Sequence, residues 1–74
     1  DRLAHGVVDL SILTERESQV TRLLVKGHTY RMIGGELSIS ENTVKYYVKN
    51  IYAKLGVQSK IELINLILDQ EPRP

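Results

Sequence analysis

Along this chain apolar residues recur at the three- and four-residue spacing of helices, and no stretch alternates in the manner of a strand. Thr14-Glu15-Arg16-Glu17 has the spacing of a capping box, in which the Thr hydroxyl accepts an amide of the first turn and Glu17 reaches back to the Thr14 amide. Val20, Leu23 and Leu24 follow at helical spacing, and Lys26 and Gly27 suit a helix end, so a first helix is predicted over 15–26. Thr29 can cap a short second helix through Leu37, with Tyr30, Ile33 and Leu37 on one side. Gly34 and Gly35 each cost that helix about 1 kcal/mol against Ala. Two readings of the pair stand: a second backbone approaches closely, or the helix is weak and frayed. Leu37-Ser38-Ile39-Ser40 reads as a tight turn with Ile39 directed inward and Ser40 as the next cap. A third helix is predicted over 41–55 and ends at Gly56. Ser59-Lys60-Ile61-Glu62 is a second capping box, opening a fourth helix that runs to about Asp69, and Pro72 and Pro74 mark the end of the chain.

The length of 74 residues allows one domain. Its expected bounds are 12–70, with a linker over 1–11 that holds at most a partial turn of helix and a tail over 71–74. Leu, Ile and Val fill 24 positions while Phe, Trp and Cys are absent, so the core must be aliphatic, and a disulfide scaffold is excluded. No apolar run approaches the roughly 18 residues of a spanning helix, and the N-terminus lacks a signal-peptide layout, so the expected setting is the cytoplasm, with no membrane partner. The chain opens on Asp1, and it is expected to be a piece of a larger protein whose regulatory region precedes it.

A net charge of +1 identifies no partner, but the charge is unevenly distributed: residues 40–60 carry Lys45, Lys49, Lys54 and Lys60 against Glu41 alone. At about 100° per residue, Val44, Val48, Ile51 and Leu55 form a strip about 60° wide that should face the core. Asn42, Tyr46, Lys49 and Ala53 lie opposite, flanked by Lys45 on one side and by Asn50, Thr43 and Lys54 on the other. Lys can donate to guanine O6 and N7, Asn can pair with adenine, and flanking Thr and Lys can hold phosphates, so this surface suits a major groove. Taken alone it also fits an ordinary solvated helix face. A short helix, a tight turn and a longer helix with a polar outer face favour a helix-turn-helix.

The residues Leu13-Thr14-Glu15-Arg16-Glu17, Gly27, Ile33, Leu37, Ile39-Ser40, Thr43-Val44-Lys45, Lys54-Leu55-Gly56-Val57 and Ser59-Lys60 occur in the order of a known pattern. From about Ile12 to Leu68 the chain resembles the LuxR-type, or GerE-like, DNA-binding domain of bacterial transcription regulators. The resemblance implies an all-α, four-helix domain that binds double-stranded DNA as a dimer, often as the output half of a two-component response regulator or a quorum-sensing receptor. It places Lys45, Tyr46 and Lys49 on bases, and Thr43 and Lys54 on phosphate. With the face described above, the expected base-reading set is Asn42, Lys45, Tyr46, Lys49 and Asn50. The expected phosphate contacts are Thr29, Arg31, Ser40, Thr43, Lys54 and Lys60. Four positions depart from the family: Met32 replaces Glu, Gly34 replaces Ala, Tyr47 replaces His, and Lys60 replaces Arg, which loses the bidentate fork. Tyr47 lies at the edge of the buried strip, either reaching a phosphate or packing at the core edge with a wet hydroxyl.

His5 and His28 have no cysteine or acidic neighbour at ligand spacing, and no nucleophile, phosphate-loop or paired-carboxylate pattern occurs, so no metal, cofactor or catalysis is expected. The fourth helix carries an apolar arc of about 220°, wider than one core requires. Leu63, Ile64 and Ile67 should face the core, leaving Leu66 on one edge and Ile61 with Leu68 on the other. Either a second copy or the rest of the parent protein must cover an edge, and the resemblance favours a homodimer contact made by Ile61, Leu66 or Leu68. RNA polymerase is a further expected partner. The competing functions are a helical protein-interaction module, which has no reason to keep the third helix basic, and a sigma-factor-like promoter-reading domain, which does not need so apolar a fourth helix.

Overall fold

A computed structural model describes residues 10–69. His5 and the tail over 71–74 lie outside the described residues, as does all of the expected linker except its last two positions. Those two, Leu10 and Ser11, belong to a short 3-10 turn, Leu10–Ile12, from which Leu10 packs against the core. Four helices follow: α1 (Glu15–Val25), α2 (Tyr30–Leu37), α3 (Glu41–Leu55) and α4 (Lys60–Asp69). No strand occurs among the described residues, and no helix is long and apolar enough to cross a membrane.

Each helix starts on a hydroxyl. Thr14 Oγ1 accepts the Glu17 amide at 3.1 Å while Glu17 Oε1 accepts the Thr14 amide at 2.9 Å, completing the capping box. Thr29, Ser40 and Ser59 accept the amides of Met32, Thr43 and Glu62, each at 3.1 Å. At α4 the return bond is displaced by one residue, because Glu62 Oε1 takes the amide of Gln58 instead of that of Ser59. The first three helices end alike. Gly27, Ser38 and Gly56 adopt left-handed conformations, and the next residue donates five positions back: His28 to Leu23, Ile39 to Gly34 and Val57 to Tyr52. Lys26, predicted inside α1, is its C-cap.

Val20 and Leu24 of α1, Ile33 of α2, Val44, Val48, Ile51 and Leu55 of α3, and Leu63 of α4 are buried together. Helix α1 touches the other three helices, and α2 packs on α3. Each fully buried aliphatic side chain stabilises the fold by about 1.5–3 kcal/mol. Tyr30 and Tyr52 close the α2–α3 junction at the core edge; burial pushes the Tyr52 phenol up from its usual pKa, and the nearby Tyr30 adds to the shift.

The glycine pair divides into two different positions. Gly34 is buried, and a Cβ there would lie 2.6 Å from the Ile39 carbonyl oxygen, whereas one on the exposed Gly35 would meet nothing within 4 Å. The close backbone is the turn between α2 and α3, folded onto α2 by the Ile39 to Gly34 bond of 2.9 Å. Gly35→Ala should therefore raise stability by about 0.5–1 kcal/mol. Gly34→Leu should lower it by about 1–3 kcal/mol despite better helix propensity, because the turn must give way. Denaturant midpoints of the two variants check this, and a Gly34→Leu domain more stable than its parent would refute the packing account.

A second long-range constraint joins α1 to the far end of α3. The Glu17 side chain is buried beneath Lys54, whose ammonium donates to Glu17 Oε1 at 2.7 Å and to the Ile12 carbonyl at 3.4 Å. The Lys54 hydrogen bond holds the Glu17 carboxyl below its usual pKa, with the Thr14 amide assisting, although burial opposes the shift. Because the folded pKa is depressed, the stabilisation is fully present above the unfolded value of about 4.3 and is lost as pH falls through the folded one. The stability difference between the parent and Glu17→Gln should be constant near neutrality and shrink below about pH 4.3. Melts from neutral to acidic pH measure that difference, and one that stays constant to the acid limit would refute the linkage.

Candidate nucleic-acid interface

The α2–turn–α3 unit has its long helix held from behind and open in front. Val44, Val48, Ile51 and Leu55 fix the inner side of α3 in the core. On the outer side Asn42, Lys45, Tyr46, Lys49 and Ala53 are exposed, with Tyr46 at 63%. Asn50 is half-buried at the margin. Lys45 and Lys49 make no ion pair among the described residues. The expected base-reading residues are therefore presented on one helix, the first four of them exposed, at a spacing that puts amide, ammonium and phenol groups side by side.

Tyr47 packs against the core and meets Tyr46 edge-on, with ring centroids 6.0 Å apart at 64°. It is a core-edge residue, and the contact restricts the exposed Tyr46 ring through a neighbour that is itself held.

The expected phosphate contacts separate into groups. Thr29 and Ser40 are the exposed caps of α2 and α3, so their hydroxyls stand where helix amides point outward. Thr43 is half-buried one turn beyond Ser40, their hydroxyls 2.9 Å apart. Arg31 is exposed in the first turn of α2, which holds no acidic residue. Lys60 is exposed as the first residue of α4, on a separate element. Lys54, exposed at the last turn of α3, donates to Glu17 and to the Ile12 carbonyl, so a phosphate contact there would compete with an internal pair. The sequence reading missed this partner because 37 positions separate the two residues; the only local sign was a lysine flanking the recognition face.

On α4 the expected arrangement also changes. Leu63 is buried and Leu66 and Ile67 pack against the core, so Leu66 belongs to the inner side and is not an edge. Ile64, expected inside, is half-buried outside that set. The open stripe is Ile61, at 71% exposure, Ile64, and Leu68, at 53%. The shift by part of a turn follows from α4 meeting the domain mainly through α1, on one flank. A separate groove of about 410 Å³ between α1 and α4 is lined by Leu10, Leu13, Val25 and Ile67, with Arg22 and Lys26 beside them.

Comparison with known proteins agrees with this geometry. The family model for bacterial regulatory proteins of the luxR family matches residues 11–67. The chain is 46% identical over 55 residues to the transcriptional regulatory protein DegU of Brevibacillus brevis, covering 74% of this chain and 23% of that protein. It is 42% identical over 60 residues to the nitrate/nitrite response regulator protein NarP of Escherichia coli (strain K12), covering 81% and 28%. The HTH-type transcriptional regulator MalT of Serratia proteamaculans (strain 568) is 38% identical over 58 residues, covering 78% of this chain and 6% of its own length. The chain thus spans less than a third of each of these relatives. Its four helices, its outward-facing α3 and the family match over 11–67 lead to one conclusion: the chain belongs to the luxR family of bacterial regulatory proteins and is a helix-turn-helix DNA-binding domain of that family.

Proposed function

We propose that the domain is the sequence-reading output of a cytoplasmic response regulator, docking α3 in the major groove with Asn42, Lys45, Tyr46 and Lys49 toward base edges and Asn50 at the margin. The observation that carries this is the exposed α3 face, whose two lysines make no ion pair among the described residues while Val44, Val48, Ile51 and Leu55 behind them are buried. Thr29, Arg31, Ser40 and Thr43 at the starts of α2 and α3 are assigned to phosphates, and Lys60 to a phosphate farther along the backbone. The kinship with a response regulator protein supports the signalling class.

Tyr46→Ala and Lys49→Ala should each reduce discrimination between a selected operator and random DNA, by about 1–3 kcal/mol where a good base contact is lost. Arg31→Ala should weaken both kinds of binding alike and make the salt dependence shallower by roughly one unit. Titrations at several salt concentrations separate the two behaviours, and an unchanged specificity ratio in both α3 variants would end the base-reading assignment.

Dimerisation on DNA is assigned to the Ile61, Ile64 and Leu68 stripe. Three side chains cannot supply the roughly 1,200 Å² of a stable interface, so the domain should be monomeric in solution and pair on adjacent half-sites, where effective concentration is high. Leu68→Glu should abolish cooperative binding to a paired site and spare binding to a single half-site. Leu66→Glu should instead lower thermal stability, because that side chain packs on the domain's own core. Gel-shift titrations on paired and single sites distinguish the two, and cooperativity surviving Leu68→Glu and Ile61→Glu would exclude this stripe.

A further inference from the structure

We propose that the Glu17–Lys54 pair is a positioning device for DNA reading, fixing the tilt and rotation of α3 so that Tyr46 and Lys49 meet base edges in register. The inference rests on the reading function proposed above and concerns residues that do not themselves touch DNA. Glu17 is a buried carboxylate whose Oε1 takes both the Lys54 ammonium, at 2.7 Å, and the Thr14 amide, at 2.9 Å. Its neighbour Lys54 also reaches the Ile12 carbonyl. One lysine at the last turn of α3 is thereby tied to the turn that precedes α1 and to the cap of α1 itself.

The fully buried contacts of α3 come from Val44, Val48, Ile51 and Leu55, with Tyr47 and Tyr52 packing at the edge of the core. Aliphatic burial is strong but non-directional, so it holds the helix down without fixing its rotation as a charged hydrogen bond does. With Glu17 buried and the Lys54 side chain 36% exposed, the pair adds little net stability, and its directional contact serves instead to select one arrangement of α3. Leverage makes the selection matter. Tyr46 is eight residues from Lys54, about 12 Å along the helix, so a tilt of a few degrees about the tied end displaces Tyr46 by close to the tolerance of a bidentate base contact, about 0.5–1 Å.

The test uses the 74-residue chain, a duplex it selects from a random pool and a scrambled duplex of the same length. Glu17→Gln/Lys54→Met removes both charges with little change of volume. It should keep a cooperative melt and an unchanged salt slope, while its preference for the selected duplex falls about tenfold, as for one misaligned base contact. Glu17→Gln alone retains the cap and should show the same loss; Lys54→Arg keeps a cation opposite Glu17 and should retain most of the preference. An unchanged preference in Glu17→Gln overturns the proposal, whatever the double variant does. A salt slope shallower by about one unit in the double variant also overturns it, since Lys54 would then be holding a phosphate. Failure of the parent chain to enrich any sequence from the pool is a different result: it overturns the DNA-reading function itself and this inference with it.

Discussion

Burial of the strip Val44, Val48, Ile51 and Leu55 is the interaction from which the rest of this domain follows. An isolated helix of 15 residues is marginal in water, so α3 exists as a stable rod because one side of it is inserted between α1 and α2. Since that strip occupies about a sixth of the circumference, the opposite side is released from any structural duty and can carry Asn42, Tyr46 and Lys49 at no cost to the fold. The small aliphatic core also explains the size of the supporting helices. With no Phe or Trp to span a wider interior, α1 and α2 must lie close to α3, and Gly34 permits the turn between α2 and α3 to close without a Cβ in its way.

Turn chemistry sets the angle at which α3 leaves α2. Three successive helices end on a left-handed residue, but the one that precedes α3 is Ser38 where the other two are glycines. A serine in that conformation is disfavoured by roughly 1 kcal/mol relative to glycine. The Ile39 to Gly34 bond, the packing of Ile39 on the core and the Ser40 cap together over-determine the turn and hold it there. The result is a rigid elbow in the place where a helix-turn-helix needs one.

Much of the fold was legible in the sequence because the signals that bound helices are local. Thr14, Thr29, Ser40 and Ser59 each lie three residues from the amide they cap, and Gly27 and Gly56 lie next to the ends they close, so short windows sufficed. The α3 face was legible for the same reason, since periodicity alone separates Val44 and Val48 from Tyr46 and Lys49. What short windows could not hold was tertiary. The ion pair between Glu17 and Lys54 spans 37 positions, so charge counting along the chain could not show that this lysine also meets a buried carboxylate. On α4 an arc apolar almost all round gives no marker of which side is inner, so the exchange of Ile64 and Leu66 depended on where α1 meets it.

Pairing Lys54 internally also changes the electrostatic account of DNA binding. Of the four lysines between residues 40 and 60, two stand on the outer face of α3 without an ion pair among the described residues, one is paired with Glu17, and one starts α4. On the proposed function, the positive potential directed at DNA then comes from Lys45, Lys49 and Arg31, aided by the starts of α2 and α3, where hydroxyl caps leave further amides pointing outward. The first turn of α2 contains no acid to offset this, whereas that of α3 contains Glu41. So few phosphate-neutralising groups per copy give weak salt-dependent binding to arbitrary DNA, since that term grows with the number of phosphates neutralised. On the proposed function, weak single-copy binding is an advantage. It leaves discrimination to the α3 face and makes occupancy depend on two copies meeting through the exposed α4 stripe, so control of pairing by the rest of a regulator would be enough to control the site.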